Sequence, residues 1–585
     1  MTKLLAVAAA LTILGVASGI AQAETLVEID HLRNGDLEMV GFELTKGAEV
    51  DIEAVGVKAR YNSSLIVYAW ILDSDTREPV WKMTGARSDR GRDKKALRRA
   101  EKTTFLEAGK YEMYMFAGDN LNFTGDFRGG KDFVDLLSNL FDDEDEDYED
   151  DYFDVHDYLR DCFVRVSSDE ITKADVKEFE IDGGLANALA RFNRLGDDEY
   201  IRQAFTVDKP MNIRIYTVHE HPRGYDNPVD RSWILNTSTR ERVWELDRLN
   251  TERAGGGRKN RKCDEEVRLE KGTYVLHFAT DDSHSFDRFN VNPPYDPMNW
   301  GITLLPGTDF DASAFHLVEG DEGAKPLVDL MRARDNDYME QAFELKKDGQ
   351  LRLYAVGEYS RGDRDFCDYG WIEDASTGRA VWEMTRRNTE HAGGAEKNRA
   401  FDGVVDLKSG KYVAYYTTDG SHSYRDWNAD RPFDPSAWGL AIYPGAGFNE
   451  SDLVLLDEDE VLEGSDVLVR MIRVGDRERR RDRFTLDKRS RIDIYALGEG
   501  SRGNMYDYAW IDNDETGRTE WEMTWRNTDP AGGADKNRKF DGSITLEPGT
   551  YEVTYITDGS HSFNDWNASH PRDPKSWGIT ISLAK

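Results

Sequence analysis

One stretch of the chain concentrates residues that can do chemistry. Between positions 358 and 435 it carries Glu358, Arg361, Asn388, Lys397, Asn398, Arg399, Asp419, Ser421, His422, Trp427 and Asn428 as candidate ligand-binding residues. Several chemistries suit this set. Asn, Arg, Asp and His form directional hydrogen bonds, and Trp427 or Trp438 could stack on a sugar face. The turn Ala392-Gly393-Gly394, followed by Lys397 and Arg399, could hold an anionic group through backbone N–H and charge. Asp419, Ser421 and Asp434 are oxygen donors that suit Ca²⁺, and Asp with His422 suits Zn²⁺. The spacing matches no EF-hand or zinc motif. Ser421-His422-Ser423 is too local for a catalytic triad, and no nucleophile elbow accompanies it. The bland alternative is an ion-paired cap that fixes long loops.

The set recurs. A later copy carries Glu499, Arg502, Asn527, Lys536, Asn537, Arg538, Asp558, Ser560, His561, Trp566 and Asn567. An earlier copy carries Glu220, Asn250, Lys259, Asn260, Arg261 and His284, with Phe289 in place of the Trp. The first copy loses the set together: Val57 stands for the Glu, Ala96-Leu97 for Lys-Asn and Leu121 for the His. Residues that come and go as a group should touch one another or share a task.

The elements that must position these loops read as strands. Leu351-Arg352-Leu353-Tyr354-Ala355-Val356 alternates with period two, as a half-buried strand does. Trp371-Ile372, the turn Asp374 to Arg379 and Val381-Trp382-Glu383-Met384 read as a hairpin. Val404 to Leu407 and Tyr412 to Tyr416 form a later pair across Lys408-Ser409-Gly410-Lys411, and Trp438 to Tyr443 is the last strand. The landmarks Trp371, Trp382, Tyr412, His422 and Trp438 recur 138 positions earlier and 139 later; Phe42, Trp70, Trp81 and Tyr111 open a divergent copy 163 before the second. The expected fold is all-β: four tandem antiparallel sandwiches, Ig-like or jelly-roll-like, of about seven strands each. Consecutive antiparallel strands put every second connection at the same end, so the three patterned loops should share one pole. The recurrent Trp371 and Trp382 should be core.

The domain plan is a repeat 1 over 24–166 with an insert at 125–155, then repeats over 167–306, 307–445 and 446–585. The insert holds the acidic run Asp142 to Asp151, which should be solvated. The polar connections between copies could be linkers or extra edge strands.

A Phe-x-Leu opening (Phe343-Glu344-Leu345), the Trp hairpin and a Leu-x-x-Gly-x-Tyr strand (Leu407 to Tyr412) in a tandem array resemble the bacterial pre-peptidase C-terminal type of β-sandwich. The resemblance covers the scaffold of each copy. It implies a β-sandwich that serves as an accessory module on an exported protein. The chain departs from it in its longer, patterned loops and in having no peptidase domain.

Composition narrows the function. With 76 Lys and Arg against 112 Asp and Glu, the net charge of -36 disfavours nucleic acid and anionic membranes. Lys3, the apolar run Leu4 to Ile20 and Ala21-Gln22-Ala23 read as a signal peptide over 1–23, so the chain should be periplasmic or secreted, with no transmembrane segment. The three cysteines cannot build a disulfide framework, and Cys263 and Cys367 align with aromatics as apolar fillers. The expectation is a noncatalytic, exported, multivalent binding protein. The poles of copies two to four would take an extracytoplasmic glycan or protein. The alternatives are an envelope scaffold, or a Ca- or Zn-dependent binding module.

Overall fold

Strand Gly349–Ser360 organises copy three, because its alternating leucines bury one face and its full length finds a partner. A computed structural model describes residues 23–58, 65–84, 96–118, 155–222, 228–319, 324–362, 365–376, 379–457, 467–563 and 565–584. All but the last residue of the expected signal peptide and all but the last residue of the acidic insert lie outside the described residues. Leu351 and Leu353 are fully buried, while Arg352 between them faces outward to pair with Asp402. The strand pairs antiparallel with Asn398–Leu407 from Gly349↔Leu407 to Glu358↔Asn398. Its other edge pairs with Gly439–Pro444, and its end with Asp365–Asp374 at Glu358↔Asp368.

The second layer is Asp365–Asp374, Gly410–Thr417 and Tyr338–Leu345, with the hairpin partner Arg379–Glu383. The expected Trp371–Trp382 hairpin is present, with Ile372 opposite Trp382. The later pair is arranged differently. Asn398–Leu407 joins the layer of Gly349–Ser360, and Gly410–Thr417 joins the other layer. The connection therefore crosses between sheets, because both strands bury one face against the same core instead of pairing with each other.

One cross-strand aromatic pair recurs in every copy. Phe343 stacks on its cross-strand partner Tyr412, with centroids 5.6 Å apart, and Phe42–Tyr111, Phe205–Tyr274 and Phe484–Tyr551 repeat the contact. The Tyr412 hydroxyl then donates to the carbonyl of Lys408, four residues back, at 2.9 Å. Tyr111, Tyr274 and Tyr551 do the same, which accounts for the fixed Gly-x-Tyr spacing. Trp371 and Trp382 are core residues, 3% and 8% exposed.

The connections between copies are edge strands. Phe315–Val318 adds to copy two beside Tyr200–Val207, although a boundary at 307 assigns it to copy three. Val328–Met331 adds to copy three beside Gly439–Pro444, and Leu453–Leu456 covers its other layer. Each copy thus exceeds seven strands, and the extra ones close edges that would otherwise offer unpaired N–H and C=O groups. Among the described residues the only α-helix is the single turn His156–Leu159, and no helix is long and apolar enough to cross a membrane.

The chain divides into two units, Met1–Gly323 and Ala324–Lys585, each holding two copies. In the first, Trp70 of copy one donates its Nε1–H to the Tyr295 carbonyl of copy two at 2.7 Å. Beside it the buried guanidinium of Arg77 bridges Glu112 and Asp296. In the second, Arg572 of copy four pairs with Glu383 and Asp365 of copy three.

Candidate functional site

The three patterned loops of copy three do meet at one end of the sandwich. Strand register brings the first two together, since Glu358 lies opposite both Asn398 and Asp368. The third arrives after Gly410–Thr417 and is stitched down when Asp419 donates its backbone N–H to Asp368 Oδ1 at 2.8 Å.

Many of the expected ligand-binding side chains are used internally. Asn398 is fully buried and donates from Nδ2 to the carbonyls of Gly393 (2.9 Å) and Asp430 (2.8 Å). Its Oδ1 must therefore accept, and it faces His422 Nε2 at 2.7 Å. His422 therefore carries a proton on Nε2. Burial pushes its pKa down to about 4, with the Lys397 charge adding to the effect. Trp427 and Trp438 meet its ring edge to face at 5.1 and 5.4 Å, and each other at 5.0 Å. His561 and Asn537 repeat this with Trp566 and Trp577, and His284 and Asn260 with Phe289 and Trp300.

Arg399 Nε donates to Thr389 Oγ1 at 3.3 Å and Nη2 to the Thr389 carbonyl. Arg538 and Arg261 bind Thr528 and Thr251 in the same way. Asn388 and Asn527 close their own turns, accepting from the N–H of Thr385 and Thr524 at 2.7 Å. Arg361 is exposed and pairs with Glu396, and Arg502 is exposed at the corresponding bend. Gly393 and Gly394 are required: both have positive φ, and a Cβ at Gly394 would stand 2.0 Å from the Arg431 carbonyl.

A second group is satisfied only in part. One carboxylate oxygen from each of Glu358, Asp368 and Asp419 lies within 4.8 Å of the other two, and Glu499, Asp507 and Asp558 repeat the cluster. Asp368 is fully buried and accepts from Asp419 N and from Trp438 Nε1 at 2.9 Å. Glu358 Oε1 meets Lys397 Nζ at 3.1 Å, and Lys397 also reaches Asn428 Oδ1. Glu358 Oε2, by contrast, is buried with no hydrogen-bond partner, as are Glu499 Oε2 and Glu220 Oε2. Ser421 donates its N–H to Asp419 Oδ1, and Ser560 to Asp558 Oδ1, each at 2.9 Å. Lys536 sits on Glu499 at 3.1 Å and on Asn567.

Three carboxylates and one ammonium leave two negative charges uncompensated when all are ionised. Desolvation raises Glu358 and raises Asp368 well above the ordinary carboxylate range. Asp507 is pushed up to about 8 by the same burial, and Glu220 to about 7. All the donors are carboxylate oxygens, a set that fits Ca²⁺, with backbone or water oxygens completing the shell. His422 is engaged elsewhere and is not part of the cluster.

Copy two has the same residue types, but its three carboxylates do not come within 4.8 Å of one another as those of copies three and four do. Asp230 accepts from Glu220 N at 2.7 Å and Asp281 N at 3.3 Å, and Lys259 pairs with Glu220 at 3.0 Å. Its pole also opens a cavity of about 380 Å³ lined by Arg248, Arg253, Arg258 and Arg261. That is a concentration of positive charge on an acidic chain.

Sequence reasoning missed Asp368, Asp507 and Asp230. The signal was present. Each stands three residues before the hairpin Trp (Trp371, Trp510, Trp233), and copy one has Val67 there. The Asp is lost together with the Glu at Val57. No family model matches the chain, and no curated protein matches it either.

Proposed function

We propose that this is a noncatalytic, exported, multivalent binding protein whose loop poles are set by calcium. Copies two to four each place a buried glutamate, a buried aspartate and a second aspartate at the pole. The ion neutralises them and fixes the loops that contact an extracytoplasmic glycan or protein. The observation that carries the reading is the buried, unpartnered Oε2 of Glu358 and Glu499 beside two further carboxylates. A buried ionised oxygen without a donor is costly unless a cation or proton meets it. The arginine-lined cavity of copy two favours an acidic group on the partner at that pole. Repetition of the pole suits avidity: linked weak sites can gain ~10²–10⁴-fold when they engage together. The internally bonded His422–Asn398 network supports a rigid platform rather than a proton-transfer centre.

The test is calcium binding to the full chain by calorimetry. Saturable binding of two or three ions, with one lost in Glu358→Gln and another in Glu499→Gln, is expected. No binding at millimolar Ca²⁺ sinks the reading and leaves the poles as structural caps.

A further inference from the structure

The two copies of the first unit are locked by a buried ion cluster. Arg77 is 4% exposed. Its Nη1 donates to Glu112 Oε1 at 2.6 Å and its Nη2 to Glu112 Oε2 at 3.0 Å. Its Nε and Nη2 also donate to Asp296, at 3.1 and 2.5 Å. Tyr216 donates to Asp296 as well, at 2.8 Å, and Tyr114 to Glu112. Burial opposes the charge on Arg77, but Asp296 and Glu112 overcome it and hold the guanidinium well above its ordinary pKa. Arg77 adopts φ of 60°, a conformation that favours glycine, so its side chain is retained there against local preference.

The second unit keeps the acids and loses the arginine. Asp573 takes the place of Asp296, Tyr495 that of Tyr216 and Tyr415 that of Tyr114. Glu112 is replaced by Val413. However, Leu72, the cross-strand partner of Glu112, is replaced by Glu373, the cross-strand partner of Val413. Cross-strand partners share one face of the sheet, so the carboxylate has changed strands without leaving the junction. The residue aligned with Arg77 is Gly378.

Beside this junction lies a cavity of about 270 Å³ between copies three and four, lined among others by Glu373, Tyr415, Arg470, Arg473, Tyr495 and Lys575, while Asp573 is not part of its lining. Glu373 is 7% exposed and accepts one hydrogen bond, from Trp371 Nε1 at 2.8 Å. Asp573 is 3% exposed; its Oδ1 accepts from Ser576 N at 3.3 Å, and its Oδ2 has no partner. Tyr495 stands beside Asp573 but does not reach Oδ2 in hydrogen-bond geometry. Among the described residues no cation comes within 4 Å of either carboxylate. Lys575 is bound to Glu340, and Arg470 and Lys539 act on the acids only at longer range. Burial raises both acids, and the Asp573 charge raises Glu373 further.

We propose that this cavity binds a small molecule carrying a guanidinium head, which is held by Glu373 and compensates its charge as Arg77 compensates Glu112 in the first unit. The site is separate from the loop poles and does not depend on the calcium reading.

Agmatine, which carries a guanidinium and no carboxylate, is the probe. The full chain is titrated with it by calorimetry at constant ionic strength. One saturable equivalent per chain is expected, weakened at least tenfold by Glu373→Gln and unchanged by Glu358→Gln at the pole. Glu373→Leu copies the residue found at Leu72 and Leu235, so it should fold. It should abolish agmatine binding and raise the unfolding midpoint of the free protein. Absence of saturable binding, or binding of several salt-screened equivalents, overturns the proposal. So does agmatine affinity that survives Glu373→Leu, or a lower midpoint in that variant, which would mean that the protein itself compensates the Glu373 charge.

Discussion

Asn398 presents its Oδ1 to His422 Nε2 at 2.7 Å because both of its amide hydrogens are already committed to the Gly393 and Asp430 carbonyls. One amide thereby joins three loops and dictates a histidine tautomer. His422→Ala removes a buried ring that also packs on Trp427 and Trp438. It should cost about 2–4 kcal/mol of stability, by analogy with large-to-small core changes and a lost buried hydrogen bond. Urea unfolding of the full chain, read by Trp fluorescence, measures it. A cost below about 0.5 kcal/mol would contradict the capping role.

The same geometry sets a pH response. His422 and His561 are held neutral, their pKa values pushed down to about 4 by burial. In the unfolded chain they protonate near 6.5, so between pH 6.5 and 4 the unfolded state binds more protons. Stability contributed by the neutral rings is present above that window and declines as pH falls through it, by about 2–3 kcal/mol for each. In NMR titrations their imidazole resonances should stay flat from pH 7.5 to 5. Titration near 6.5 would contradict the buried, neutral assignment.

The carboxylate cluster responds in the opposite sense. Asp507 is raised to about 8 and Glu220 to about 7. A folded state that holds these protons more tightly is favoured at low pH and loses that advantage as pH rises from about 4 to 8. Calcium should therefore raise the melting temperature more at pH 8 than at pH 5. At 100 times its dissociation constant the ion contributes roughly 2.7 kcal/mol. Asp558→Asn should reduce the shift. An equal shift at both pH values would count against the cluster as the site.

Arg77 gives a prediction that separates strain from charge. Arg77→Gly relieves the positive φ but leaves Glu112 and Asp296 buried without their cation. Breaking a buried pair in this way costs about 3–5 kcal/mol, more than the ~1–2 kcal/mol that left-handed strain returns. Thermal unfolding of the full chain should show a clear loss for Arg77→Gly. A gain would mean that the backbone term dominates.

Gly394 tests the shared loop geometry. A Cβ there would lie 2.0 Å from the Arg431 carbonyl, and one at Gly533 would lie 1.9 Å from the His570 carbonyl. Gly394→Ala should detach the third loop from the second and abolish calcium binding at the Glu358 cluster, while leaving the Glu499 cluster intact. Two unchanged sites in calorimetry would argue that the loops close independently.

What the sequence determined by itself was local or repeated. Period-two alternation marked Leu351 to Val356 as a strand because side chains alternate across any pleated sheet. Recurrence marked Trp371, Trp382 and Tyr412 as scaffold because each copy needs the same core contacts. Gathering of the patterned loops at one pole followed from strand alternation. Partners set by long-range register were not legible. The chain around Leu407 and Tyr412 has the look of a hairpin, yet the two strands enter opposite layers, a choice made by core packing. Asp368 acquired its place beside Glu358 from strand pairing and a bulge. Glu373 and Asp573 acquired theirs from the packing of one copy on the next. Only the folded structure decided which polar groups spend their hydrogen bonds on each other, as His422 and Asn398 do, and which, like Glu358 Oε2, are left without a partner. Burial and satisfaction depend on everything that surrounds a residue, and a single chain position carries little of that information.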